Sequence, residues 1–111
     1  MLAYRHAFHA GNHADVLKHL VLVAVLRHMA AKEKGFRVVD THAGAGGYSL
    51  EGRYAQKRHE HEDGIGRLWE RDDLPEAVAD YVAQVRLFNS GGALKQYPGS
   101  PAFAQLLLRP Q

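Results

Sequence analysis

The stretch VVDTHAGAGGYS, residues 38–49, decides how this chain is read. The β-branched run in FRVVDT predicts a short strand over 36–41 that carries Asp40 near its end, and Gly44, Gly46 and Gly47 follow in the next loop. Open α/β sheets bind their ligands at the carboxyl ends of strands. Glycines at such an edge let the backbone turn sharply and let a ligand approach with no Cβ in the way. A dinucleotide loop would carry a further glycine at position 49, where Ser49 stands, and no helix clearly starts in the loop, so a pyrophosphate cradle is a poor match. The acid ahead of the glycines suits instead a nucleoside with a positively charged amino-acid end, S-adenosylmethionine. A tight loop that holds no ligand is the alternative this pattern leaves open.

On either side of the loop the chain reads as helical. Asn12 followed by Asp15 predicts an N-cap with an acidic first turn, and Val16, Leu17, Leu20, Val21, Ala24, Val25 and Met29 then recur at helical spacing. A helix is expected over 13–34, stopped by Gly35. Its middle is apolar nearly all round, which predicts cover on more than one side. Valine in residues 20–26 favours a strand, but no turn residue interrupts 14–34. Beyond the loop, EGRYAQKRHEHED has no clean period, and GIGRLWERDD predicts irregular or short helical structure around Trp69. Asp73 and Glu76 read as a capping pair for a helix whose apolar face is Val78, Tyr81, Val82, Val85 and Phe88, ended by Asn89, Ser90, Gly91 and Gly92. Ser100 as N-cap and Pro101 at the first position open a last helix with Phe103, Leu106 and Leu107 on its apolar side. The fold class is therefore α/β. One clear strand cannot make a parallel sheet, which needs several, so either the chain is unusual or it is the front part of a longer protein.

Composition narrows the setting. At 111 residues the chain has room for one domain at most, and 46% apolar with 23% charged residues is ordinary globular composition. It has no cysteine, which excludes disulfides and thiolate metal sites and fits a reducing cytoplasm. A formal charge of +2, a pI near 9.0 and eight histidines permit a nucleic-acid partner without requiring one. The N-terminus carries charge too early and too often for a secretory signal. The longest apolar run, at residues 20–26, falls far short of the roughly 20 residues of a membrane span.

Two polar clusters stand out near the N-terminus. Tyr4 with Arg5, His6 and Lys18 interleaves an aromatic ring with cations, a set able to stack a base and hold phosphates, although a frayed basic terminus has the same composition. His9 and His13 are four apart, but Gly11 lies between them ahead of the predicted cap, so they are not expected to share a helix face as metal ligands. HEHE at 59–62 reads as a solvated polar loop, and Trp69 as core of a small helical subdomain.

YRHAFHAGNHADVLKH at 4–19, DTHAGAGGY at 40–48 and YPGSP at 97–101 together resemble one bacterial family, the J-type adenine-N6 methyltransferases of large-subunit ribosomal RNA. The similarity runs in register through DDLP at 72–75 and GSPAFAQLLLR at 99–109. It implies the N-terminal part of a Rossmann-like, S-adenosylmethionine-dependent methyltransferase fold, with residues 48–96 as an inserted helical subdomain. It also implies methyl transfer from S-adenosylmethionine to N6 of an adenine in 23S ribosomal RNA. By the same resemblance His19, His42 and Ser100 match cofactor-binding positions, beside Asp40, Gly44 and Gly46 of the loop. Tyr4, His6 and Lys18 match positions near the target adenine, and no metal is implied. The family's Asp-Pro-Pro-Tyr motif and its ribose-binding acid do not occur in these 111 residues. The catalytic C-terminal part is therefore expected to be absent, leaving the isolated chain inactive and prone to self-association, and the full-length protein monomeric. A small RNA-binding module without turnover is the competing reading.

Overall fold

The computed structural model describes residues 6, 9–41, 44–51 and 60–108. Tyr4 and His42 lie outside the described residues.

Helix α1 spans His13–Ala30 and begins where the cap signal places it: the Asn12 side chain accepts from the backbone N–H of Asp15 at 3.0 Å. It ends with Ala31 as its C-cap, four residues short of Gly35. The buried residues Asp15, His19, Val23 and Leu26 form one narrow stripe. Leu17, Val21 and Val25, on other faces, are 66%, 54% and 52% exposed, so the helix is not covered on more than one side as its composition predicts.

The strands differ from expectation. Residues 36–41 are in no strand; Phe36 and Val38 pack against the core while Val39 is 74% exposed. A strand exists through its ladder, and no described segment pairs with this one. The two strands present are β1, Gly47–Ser49, and β2, Gln96–Pro98, antiparallel, with Tyr48 opposite Tyr97. The chain leaves this ladder at Ser49 and returns to it at Gln96.

Between the strands lie a 3₁₀ turn, Glu60–Asp63, a short helix α2, Ile65–Leu68, and helix α3, Glu76–Phe88. The apolar face expected for α3 is largely the one observed, with Tyr81, Val82 and Val85 buried. Its start is not a capping pair: Pro75 is the N-cap, without a side-chain bond, and Asp73 pairs instead with Arg71 at 2.6 Å. At the other end Asn89 ties α3 to β2. Its amide donates to the carbonyls of Val85 and Gln96, both at 2.9 Å, and its oxygen accepts from the N–H groups of Lys95 and Gln96 at 2.9 and 2.8 Å. Trp69 is in the core, its ring 4.3 Å beneath the Arg86 guanidinium.

Helix α4, Ser100–Leu107, follows β2 directly with Gly99 as N-cap and Pro101 in the first turn. Ser100 does not cap; its hydroxyl donates to the Asp40 carboxylate. Both α3 and α4 pack on α1, and Val23, Leu26, Tyr81, Val85, Tyr97 and Phe103 fill the space between them. That packing leaves a trough open on the far flank of α1.

Candidate functional site

Asp15 organises the N-terminal end of α1. It is 2% exposed, and its Oδ2 accepts from His6 Nε2 at 2.7 Å and from the Gly11 N–H at 2.9 Å, while Lys18 Nζ lies 3.4 Å from Oδ1. A carboxylate only accepts, so the His6 nitrogen facing it is the one that carries the proton. His6 also meets the Tyr48 ring edge-on, 5.1 Å between centroids, and Tyr48 Oη accepts from the Ala45 N–H at 3.2 Å. The N-terminal cluster and the glycine loop are thus tied through one aromatic ring. Nearby, His9 Nδ1 sits 3.0 Å from each oxygen of Glu60, and Asn12 donates to the same carboxylate at 3.1 Å. Glu60 of the HEHE segment is therefore a partly buried brace for His9 and Asn12 rather than a solvated side chain, while Glu62 is exposed as the sequence predicts. His9 and His13 are not a pair: His9 is engaged by Glu60 and His13 is exposed.

On the next face of α1 lies the trough, about 840 Å3 in volume, between the helix, residues 38–41 and α4. Lys18, His19, Asp40 and Ser100 line it together with the apolar side chains of Val21, Leu22, Val25 and Val39. Four of the residues singled out in the sequence are thereby brought to one place. Lys18 also borders a smaller recess of about 340 Å3 with His6, His9 and Asp15. Gly44 and Gly46 do not line the trough. Gly44 takes a left-handed conformation, φ +63°, and the Gly46 carbonyl accepts from the Gly99 N–H at 2.9 Å, which fastens the loop to the start of α4. A Cβ on Gly46 would meet nothing within 4 Å.

His19 is the most enclosed titratable group in the trough wall, 1% exposed. Its Nδ1 is 2.6 Å from Tyr97 Oη, and its Nε2 is buried without a hydrogen-bond partner among the described residues. Burial pushes its pKa down from 6.5 to about 4, against the opposing pull of Asp15, so the ring is neutral near pH 7. Because the folded pKa lies below the unfolded one, the unfolded chain takes up the proton first as pH falls. Stability is expected to be full above pH 6.5 and to drop between pH 6.5 and 4, by up to about 3 kcal/mol for a shift of this size. Urea unfolding across this range checks it: His19→Gln should flatten the slope, and an equal slope in that variant would assign it to other groups.

Two participants escaped the sequence reading. Asp15 reads there only as an acidic first-turn residue, and Tyr97 only as part of YPGSP. The Asn12–Asp15 spacing was a signal for the first; the second touches His19 across 78 residues of sequence, a separation no local pattern reports.

The family model described as "Ribosomal RNA large subunit methyltransferase D, RlmJ" matches residues 33–111. Among curated proteins, the chain is 53% identical over its whole length to ribosomal RNA large subunit methyltransferase J of Haemophilus influenzae and 51% identical to that of Escherichia coli K12. It spans 40% of the length of each of these relatives. A crystal structure of a Legionella pneumophila protein superposes with a TM-score of 0.81 at 37% identity, covering 90% of this chain and 36% of that one.

Proposed function

We propose that this chain, which belongs to the RlmJ family of ribosomal RNA large subunit methyltransferases, supplies the donor side and part of the RNA side of an S-adenosylmethionine-dependent adenine-N6 methyltransferase. The observation that carries the reading is the trough in which Lys18, His19, Asp40 and Ser100 converge. The residues fit the cofactor chemically. Asp40 offers a carboxylate to a cationic amino-acid end, the apolar wall of Val21, Val25 and Val39 suits a purine face, and the buried Nε2 of His19 has no partner among the described residues. S-adenosylmethionine would supply a methyl group activated by its sulfonium. His6 and Lys18, held by Asp15 in the adjoining recess, would face the RNA, with Tyr4 as a proposed stacking partner for the target base. Lys18 borders both spaces, as transfer between donor and acceptor requires neighbouring sites. His42 is assigned to the cofactor by resemblance, and Gly44 and Gly46 by the pattern of the glycine loop.

The architecture proposed for the full-length protein is Rossmann-like, with residues 48–96 as an insertion. The antiparallel β1–β2 pair, which closes the excursion from Ser49 to Gln96, supports this. The substrate proposed is 23S ribosomal RNA and the setting cytoplasmic. Among the described residues no helix is long and apolar enough to cross a membrane.

Ultraviolet crosslinking of methyl-labelled S-adenosylmethionine to the chain, followed by peptide mapping, tests the donor site even at low affinity. Label is expected on peptides containing 18–25, 38–41 or 100–108 and should be displaced by excess unlabelled cofactor. Gly46→Val, placed in open space outside the trough lining, should leave the melting temperature unchanged, and a tenfold fall in its labelling, equivalent to about 1.4 kcal/mol, would extend the cofactor site from the trough to the glycine loop. Displaceable label confined to other peptides would overturn the assignment.

A further inference from the structure

Behind His19 lies a chain of buried hydroxyls. Tyr97 Oη is 2.6 Å from His19 Nδ1, 2.9 Å from Tyr81 Oη and 3.3 Å from the Asp15 carbonyl oxygen. Tyr81 and Tyr97 are both fully buried, and burial pushes both phenols well above their ordinary pKa, so each remains a neutral O–H. Tyr97 has one proton for these contacts, and where it goes decides the tautomer of His19.

Distance separates the arrangements. If the Tyr97 proton went to the Asp15 carbonyl or to Tyr81 Oη, His19 Nδ1–H would have to donate to the phenol at 2.6 Å, shorter than the range of about 2.7–3.2 Å usual for nitrogen donors. If it goes to Nδ1, the short separation accords with a hydroxyl donor, whose bonds to oxygen acceptors reach down to about 2.5 Å. The Asp15 carbonyl does not depend on the Tyr97 proton, since inside α1 it accepts from the backbone N–H four residues on. Tyr81 then donates to Tyr97, and the protons run in one direction, Tyr81 to Tyr97 to His19. With Nδ1 accepting, the ring hydrogen of neutral His19 sits on Nε2.

We propose that Tyr97 is a positioning residue that locks His19 as the Nε2–H tautomer, so that the trough presents an uncharged N–H donor to an acceptor oxygen of its ligand, a hydroxyl or carboxylate. An unsatisfied buried donor is costly to keep. Among the described residues this donor has no partner, and His19 lines the trough, so a ligand there would supply the acceptor. The ligand part of this inference rests on the donor-site reading above; the tautomer part does not. Phe103, tilted over the imidazole at 4.6 Å between centroids, keeps the ring from turning to exchange its nitrogens.

Nitrogen-15 spectra of the chain labelled in its histidines read the tautomer without any ligand. His19 is expected to show an unprotonated Nδ1 and a protonated Nε2 at pH 7, and Tyr97→Phe to shift it to a mixture or to the opposite form. A protonated Nδ1 in the unsubstituted chain overturns the proposal, whether or not the variant folds. So does a Tyr97→Phe chain that folds with the tautomer unchanged. Crosslinking of labelled S-adenosylmethionine should fall about tenfold in Tyr97→Phe. Should the tautomer switch while crosslinking to the trough stays at its original level, the donor to the ligand is refuted but the cofactor site stands. Loss of trough labelling in the unsubstituted chain refutes the cofactor site and leaves the tautomer result intact.

Discussion

Gly99→Ala should destabilise the chain by at least about 3 kcal/mol and reduce cofactor labelling to background. A Cβ at Gly99 would stand 2.0 Å from the Ala45 carbonyl oxygen and 3.1 Å from its carbon, and both are backbone atoms that no rotamer change can move. Shifting Ala45 pulls on the glycine loop, which is fastened here by the Gly99 N–H bond to the Gly46 carbonyl at 2.9 Å. Shifting Gly99 instead disturbs the start of α4, where its carbonyl accepts from Ala102 at 3.0 Å and Phe103 at 3.2 Å. Either response moves Ser100 and Pro101, which line the trough. Gly46→Ala, with nothing within 4 Å of its Cβ, is the matched control and should stay within about 0.5 kcal/mol of the unsubstituted chain in urea unfolding. Equal midpoints for the two variants would show that the loop and α4 do not approach this closely.

Asp15→Ala should have the next largest effect, about 3 kcal/mol of stability together with loss of RNA crosslinking at the N-terminal recess. The carboxylate is 2% exposed, and removing it strips the Gly11 N–H of its acceptor and takes from His6 and Lys18 the group that draws them together. The cost comes from the buried Gly11 N–H and the largely buried His6, which would be left without their acceptor, whereas Lys18 is 59% exposed and keeps its water. Asp15→Asn, equal in size, should fall between, since an amide oxygen can still accept from the Gly11 N–H and His6, but it carries no charge and its NH2 group offers Lys18 no acceptor. A useful contrast is Asp63, whose ion pair with Arg67 is exposed on both sides, and where alanine should leave unfolding unchanged. If Asp15→Ala matched Asp63→Ala, the cluster at the start of α1 would be decoration rather than support.

The helices were legible because the signals that make them are local. Asn12 and Asp15 announced the start of α1, the spacing of Tyr81, Val82 and Val85 announced the buried side of α3, and Pro101 announced the start of α4. Errors occurred where a local signal had a stronger rival nearby. Asp73 was drawn to Arg71 rather than to the start of α3, because an arginine two residues away offers a bidentate partner. Ser100 was drawn to Asp40, which no reading of YPGSP alone could anticipate.

What the sequence determined by itself was therefore the set of helices, the family resemblance and the residue types of the candidate site, since these are properties of short stretches of chain. Tertiary structure alone decided which residues meet. FRVVDT has the composition of a strand, but a strand is a relation between two segments; the pairing formed instead between Gly47–Ser49 and Gln96–Pro98. Composition made α1 apolar nearly all round, and packing buried only the stripe from Asp15 to Leu26, because α3 and α4 both lie against it and leave the trough flank open. The contacts that make the candidate site, Asp40 with Ser100 across 60 residues and His19 with Tyr97 across 78, are distant in sequence and adjacent only once the chain is folded. The proton on His19 is the furthest removed from the sequence, for it depends on which of three neighbours one buried phenol serves.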